Sequence, residues 1–371
     1  MKIDSPNEKI LLRESGHADL FCSLGENSFL NTTFSVEYTR SKTSGKPQRL
    51  TSDLIRSSAS RQKITESRIL FKDESLQFAI ETRRSSNHIG VFWRAVLQNI
   101  SDEPIFIHRI ILCDGELLSS QNQFPIKNPA FYSNGWQSWS YSGAYHRGDK
   151  MIRSRLGQLQ NPMVLNPGTP SFRQKNIFSS DFFGILADLN TRSGWVFGFL
   201  SQRQHFGTIT ADLRSTPRIR LWANGDHARL DPGAEIATDW AAFFEIHIDD
   251  PDPMGPYLSA IASENGVDKL PPSPSGWCSW YHYYQNVSDT DILKNLSVLK
   301  HNSDRLPLSL VQIDDGFEKQ VGDWFEFNSR FPNGVAPLAT KITDAGFVPG
   351  LWLAPFIVHP KSDLYRDHPD W

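Results

Sequence analysis

The sequence predicts two architectures in one chain, an all-β half followed by an α/β half, and three observations carry that division. From about residue 10 to 250, short apolar or alternating runs are separated by turn residues, with hardly any helical stripe. A change of texture follows at Asp250-Pro251, and Lys269-Leu270-Pro271-Pro272-Ser273-Pro274-Ser275 reads as a stiff spacer. Beyond Gly276 the pattern runs strand, helix, strand, helix, strand, the order of βα units around a parallel sheet. The expected fold class is therefore multidomain, β plus α/β: a β domain over 1–255, a linker over 256–275, and the first three βα units of a (β/α)8 TIM barrel over 276–371.

In the β half, candidate strands are Arg68–Lys72 and Leu76–Thr82 around the polar turn Asp73-Glu74-Ser75, then Gly90–Gln98, Pro104–Cys113, Gly194–Leu200, Pro217–Ala223 and Ala237–His247. So many strands exceed one small sandwich, which points to a large two-sheet β-sandwich. Pro256–Glu264 fits a short helix with Pro in its first turn.

In the α/β half, Gly276–Trp280 is an apolar strand and Asp289–His301 a helix. Ser288 is its N-cap, Asp289 and Asp291 complement its dipole, and Ile292, Leu293, Leu296 and Leu299 follow one face. Leu308–Asp315 is nearly continuously apolar, as a strand covered on both faces should be. Val335–Ala345 is a helix that stops at Gly346, Phe347–Ala354 is the third strand, and Ser362–His368 opens a further helix. Only 96 residues run from Gly276 to Trp371. A complete barrel takes about 250, so the sequence predicts a fragment, the opening part of a longer protein.

Composition narrows the function. A net charge of −3 supplies no electrostatic pull toward nucleic acid or an anionic membrane. The amino terminus, Met1–Glu8, precedes no apolar run of signal-peptide length, and no segment reaches the length of a membrane span, so a cytoplasmic protein is expected. Cys22, Cys113 and Cys278 lie far apart without a CxxC pair, and His282, His359 and His368 lack ligand spacing, so neither a disulfide framework, a metal nor a cofactor is expected. No P-loop and no GxSxG elbow occur. Aromatic residues make up 12% of the chain, and a Trp face can serve core packing or a sugar ring.

Barrel chemistry sits at the C-terminal ends of the strands. There the sequence places Trp280 and Tyr281, then Asp314-Asp315-Gly316, then Trp352. Adjacent carboxylates closing an apolar strand need donors, and sugar hydroxyls would supply them. The competing reading makes Asp315-Gly316 a turn capped by Asp314, and Trp280, Tyr281 and Trp352 barrel core. Asp323 is expected to hold its loop.

These strings resemble glycoside hydrolase family 36, the melibiases: Gly276-Trp277-Cys278-Ser279-Trp280-Tyr281, Val311-Gln312-Ile313-Asp314-Asp315-Gly316, Gly322-Asp323-Trp324, Phe331-Pro332-Asn333-Gly334, Gly350-Leu351-Trp352 and His368-Pro369-Asp370-Trp371. Asn134-Gly135-Trp136-Gln137-Ser138-Trp139-Ser140 is similar to a loop of that family's β-supersandwich domain. The resemblance implies a retaining α-galactosidase acting on melibiose- or raffinose-type oligosaccharides without a cofactor. It implies that Asp314 and Asp315 bind the O4 and O6 hydroxyls of galactose, that Trp280 and Trp352 wall the pocket with Tyr281 in support, and that Trp136 or Trp139 closes it. Retention needs two carboxylates about 5–5.5 Å apart. The family's pair lies on later strands, expected beyond Trp371, so this chain is expected to be inactive alone. One departure is Leu353-Ala354-Pro355-Phe356, where many relatives carry a glutamate before the proline, and it leaves the leaving group open. An α-N-acetylgalactosaminidase, a raffinose-synthase-type galactosyltransferase and a non-catalytic galactose-binding fragment remain rivals, and a homo-oligomer is allowed.

Overall fold

Among the described residues, seventeen antiparallel strands of the first half pair into one eight-stranded and one nine-stranded sheet. The computed structural model describes residues 10–12, 18–21, 28–40, 47–51, 68–72, 74–83, 90–119, 126–152, 164–267 and 269–371. Met1–Glu8, Cys22 and Asp73 of the sequence reading lie outside the described residues. Two compact units divide the chain, Met1–Asp268 and Lys269–Trp371.

In the first unit, the centre of the eight-stranded sheet is formed by Ser28–Thr39, Ile105–Ser119 and Arg218–Leu230. The nine-stranded sheet centres on Ser193–Phe199, Ala241–His247 and Val91–Asn99. Alternate residues of both sheets point into one core. Val36, Ile107, Ile110 and Leu221 come from the first sheet, and Phe78, Trp93, Phe197 and Phe243 from the second. A direct bond crosses between the sheets where Trp93 Nε1 donates to the Leu112 carbonyl at 2.8 Å, so this large buried side chain keeps its polar atom satisfied.

Ser193–Phe199 and Ala241–His247 of the second sheet are mostly apolar because their outer face is covered too. The helix Gly255–Glu264 buries Tyr257 and Ala260 against Phe92, Val196, Ala242 and Phe244. The Tyr257 hydroxyl donates to the Phe199 carbonyl at 2.6 Å. All of this helix but Gly255 falls in the span 256–275 expected as linker, yet it packs with the β unit, and the division between the compact units falls after position 268.

The second unit is a parallel sheet of Gly276–Cys278, Leu310–Ile313 and Val348–Leu351, with the middle strand central. Asp289–His301 and Ala336–Asp344 supply its helices. Ile292, Leu296, Leu338 and Ile342 pack on Val311 and Ile313 of the central strand. A complete capping box starts the first helix: Ser288 Oγ accepts from Asp291 N at 3.2 Å, and Ser288 N donates to Asp291 Oδ2 at 3.1 Å.

Candidate functional site

Parallel register sets Cys278 beside Gln312, and Gln312 beside Gly350. Residues two apart on a strand share a face, so Val311 and Ile313 take the helix side while Gln312 and Asp314 take the other. Gln312 Nε2 donates to Asp314 Oδ2 at 2.8 Å, and Cys278 Sγ donates to the same oxygen at 3.2 Å. Asp314 Oδ1 accepts the Asp315 N–H at 3.0 Å, and Asp314 N donates to Ser279 Oγ at 2.9 Å. Burial and the neighbouring Asp314 carboxylate push the Cys278 thiol up, so it remains a protonated donor.

Asp315 is held differently. Its Oδ2 accepts from Gln285 Nε2 at 2.9 Å. Both aspartates are 8% exposed and Glu318 is 5% exposed. Burial first, and the hydrogen bond with Asp315 second, push the Glu318 carboxyl up to about 7. A carboxylate offers about four lone-pair sites, so the aspartates keep unused acceptor capacity at the end of the central strand.

The turn reading of Asp314-Asp315-Gly316 is also realised. Gly316 adopts φ +118°, and its N–H donates to Glu318 Oε2 at 3.2 Å. A Cβ on Gly316 would stand 2.6 Å from the Gln285 carbonyl oxygen, so both backbone conformation and space require glycine. Asp323 holds its loop as expected: it is buried, and its carboxylate accepts from Asp363 N and Leu364 N, both at 3.0 Å, at the start of the helix Asp363–Asp367.

Trp352 follows the third strand, where its N–H donates to the Ile313 carbonyl at 2.9 Å and its ring meets Trp324 edge-on at 6.0 Å. Trp280 is half-buried, with its ring 5.5 Å from that of Tyr284. The first strand is shorter than the expected Gly276–Trp280. It ends at Cys278 because Ser279 turns to φ −68°, ψ −27°, and Trp280–Tyr283 form a short helix. Tyr281 therefore leaves the sheet and is 84% exposed, taking no part in holding either aspartate.

In the β unit, the polar residues of the 134–140 loop hold its backbone. Gln137 Oε1 accepts from Trp139 N at 2.8 Å, Asn134 Nδ2 donates to the Asp181 carbonyl at 2.9 Å, and Ser140 Oγ donates to the Val164 carbonyl at 2.8 Å. The indoles are left outward, Trp136 at 39% and Trp139 at 63% exposure. Trp139, Tyr141, Tyr145, Asn166 and Asp181 are among the residues lining a cavity of about 420 Å³. Burial pushes the Asp181 carboxyl up, while Thr169 and Asn166 hydrogen-bond its Oδ1.

Cys278, Gln312, Gln285 and Glu318 are the groups that sequence reasoning left without a role. The i, i+2 spacing of Gln312 and Asp314 on one strand was the available signal for one of them. Gln285 comes from the 3-10 turn Tyr284–Asn286 and Glu318 from an isolated bridge with Phe327, approaches that no local pattern encodes.

Asp314 and Asp315 thus present buried carboxylates with spare acceptor sites at the end of the central parallel strand. The melibiase family model matches residues 278–371. The chain is 32% identical over 100 residues to the α-galactosidase AgaA of Geobacillus stearothermophilus, covering 25% of this chain and 13% of that protein. With an α-galactosidase of Escherichia coli it shares 38% identity over 66 residues, 16% of this chain and 9% of the relative. The crystal structure of the family 36 α-galactosidase AgaA from Geobacillus stearothermophilus superposes with a TM-score of 0.54 at 16% identity, over 98% of this chain and 45% of that one. The chain thus spans less than half the length of that solved relative, and the likeness extends to the fold of both units.

Proposed function

We propose that this chain is the substrate-recognising part of a retaining exo-α-galactosidase, with the three-stranded parallel unit as the opening of a (β/α)8 barrel. Carrying this reading is the pair Asp314 and Asp315, buried, adjacent and held by separate donors at the end of the central strand, within the segment matched by the melibiase model. Asp314 and Asp315 accept hydrogen bonds from the O4 and O6 hydroxyls of a terminal galactose. Trp280 and Trp352 wall the sugar and Tyr281 supports it, while Trp136 and Trp139 offer the β unit exposed indoles for sugar contacts. The named activity of the relatives, α-galactosidase, supports the substrate class.

Retention runs through a nucleophilic carboxylate and an acid/base carboxylate about 5–5.5 Å apart. Asp314 and Asp315 are assigned to recognition, and neither catalytic role is assigned to a residue between Met1 and Trp371. The chain alone is expected to leave p-nitrophenyl α-galactoside unhydrolysed, and turnover by it would overturn that assignment. Calorimetric titration with D-galactose tests recognition. Replacement of Asp314 or Asp315 by Asn should weaken binding at least about tenfold, the scale of one lost charge-assisted hydrogen bond. Equal affinity in the variants would sink the assignment.

A further inference from the structure

Gln285 holds Asp315 from an unfavourable place. The residue is exposed, on a turn of three residues, and a glutamine there has several rotamers to choose from. Tyr284 before it sits at φ +50°, ψ −137°, a conformation that residues with a Cβ adopt only where surrounding contacts hold them.

Arg330 supplies such contacts. Its Nη2 donates to the Gln285 carbonyl and, at 3.3 Å, to the Gly316 carbonyl, while Nη1 donates to Asn286 Oδ1 at 3.4 Å. One guanidinium therefore ties the main chain of the residue that holds Asp315 to the main chain of the residue that follows Asp315. Asn328 Nδ2 adds a second donor to the Gly316 carbonyl at 2.7 Å.

The arginine is itself launched from a fixed backbone. Its N–H donates to Asn328 Oδ1 at 2.9 Å, its carbonyl accepts from Asp289 N at 3.1 Å, and the next residue, Phe331, is fully buried in the core of the unit. Among the described residues its hydrogen bonds go to neutral oxygens alone, so the guanidinium serves as a planar fork for main-chain and amide oxygens and not as half of an ion pair.

We propose that Arg330 is a positioning residue: it locks the turn Tyr284–Asn286 against the turn after Asp315, so that Gln285 Nε2 stays on Asp315 Oδ2 and the carboxylate keeps one orientation toward a sugar hydroxyl. This rests on the reading of Asp315 as a sugar-binding residue. Arg330 acts on the sugar only through Gln285 and Asp315.

Arg330→Lys keeps the charge and loses the fork. In calorimetric titrations of the chain it should weaken D-galactose binding about tenfold, the scale of one lost charge-assisted hydrogen bond. In a Gln285→Leu background the same substitution should cause no further loss, because both residues act through one contact. Unchanged affinity in Arg330→Lys, or losses that simply multiply in the double variant, overturn the proposal.

The side-chain amide of Gln285 gives a readout that needs no sugar. Its NMR signal is identified by its disappearance in Gln285→Leu. It should be protected from solvent exchange in the unmodified chain and lose that protection in Arg330→Lys, while the backbone signals of Leu310–Ile313 stay in place. An unmoved Gln285 signal overturns the positioning role whether or not D-galactose binds, and loss of the Leu310–Ile313 signals overturns it in favour of a general structural role. D-galactose affinity that is unaltered in Asp315→Asn, with the Gln285 signal responding as expected, instead removes the sugar reading of Asp315, and the role of Arg330 toward sugar falls with it.

Discussion

Gly316 concentrates several demands on one residue. The chain must reverse after two buried aspartates, deliver its N–H to Glu318, and pass within contact of the Gln285 carbonyl. Gly316→Ala meets both a positive φ and a backbone clash, and should destabilise the chain by about 2 kcal/mol or more, read as a lower urea midpoint at an unchanged slope. The acidic residues nearby divide their labour by environment. Asp323 accepts from the N–H groups of Asp363 and Leu364 at a helix start, whereas the Asp314 and Asp315 carboxylates are held by Gln312, Cys278 and Gln285 at the end of a strand. Sequence reasoning separated them because Asp323 lies in a loop string and the pair closes an apolar strand.

At the scale of elements, propensity and periodicity located helices better than strand ends. The helix Asp289–His301 has the expected bounds because its cap, dipole charges and apolar stripe are all local. Ser288→Ala removes half of its capping box and should cost about 1 kcal/mol by chemical denaturation. Two long strands ran past the expected limits for tertiary reasons. Ile105–Ser119 continues through Asp114, a residue that sequence reasoning treats as a breaker, because Arg218 and Arg220 on the neighbouring strand donate to its carboxylate at 2.7 Å. Arg218–Leu230 absorbs Gly225-Asp226-His227, which reads as a turn, as a bulge with φ +48° at Asp226 and +53° at His227. Asp114→Ala should lower stability by about 2 kcal/mol, since the arginines are half-exposed and are left solvated rather than stranded.

Taken as a whole, the molecule carries cores of unequal size. The β unit buries one core shared by two sheets and a second beneath a helix, while the 269–371 unit has one smaller cluster on a single sheet face. Less buried apolar area per residue means a lower opening free energy. Amides of Leu310–Ile313 are therefore expected to exchange with solvent deuterium faster than those of Val91–Asn99, and the reverse order by mass spectrometry would contradict this ranking. The division into a β half and an α/β half was legible in the sequence because side-chain periodicity reports one chain segment at a time. Hidden from it were the pairings between distant segments, including those that bring Gln285 and Glu318 to Asp315.

One of those pairings bears on how the chain is made. Phe106 lies between Thr39 on one side and Arg229 on the other, and six further strands intervene before the second neighbour exists. At ribosomal speeds of about 5–20 residues per second, the edge of Ile105–Ser119 waits for roughly ten seconds without its partner. During that interval Ile105, Ile107, Ile110 and Leu112 have no completed core to enter. The nascent chain is thus stickiest well before its sugar-reading strands are translated, and slowing translation or withholding holdase chaperones should reduce soluble yield through the β unit first.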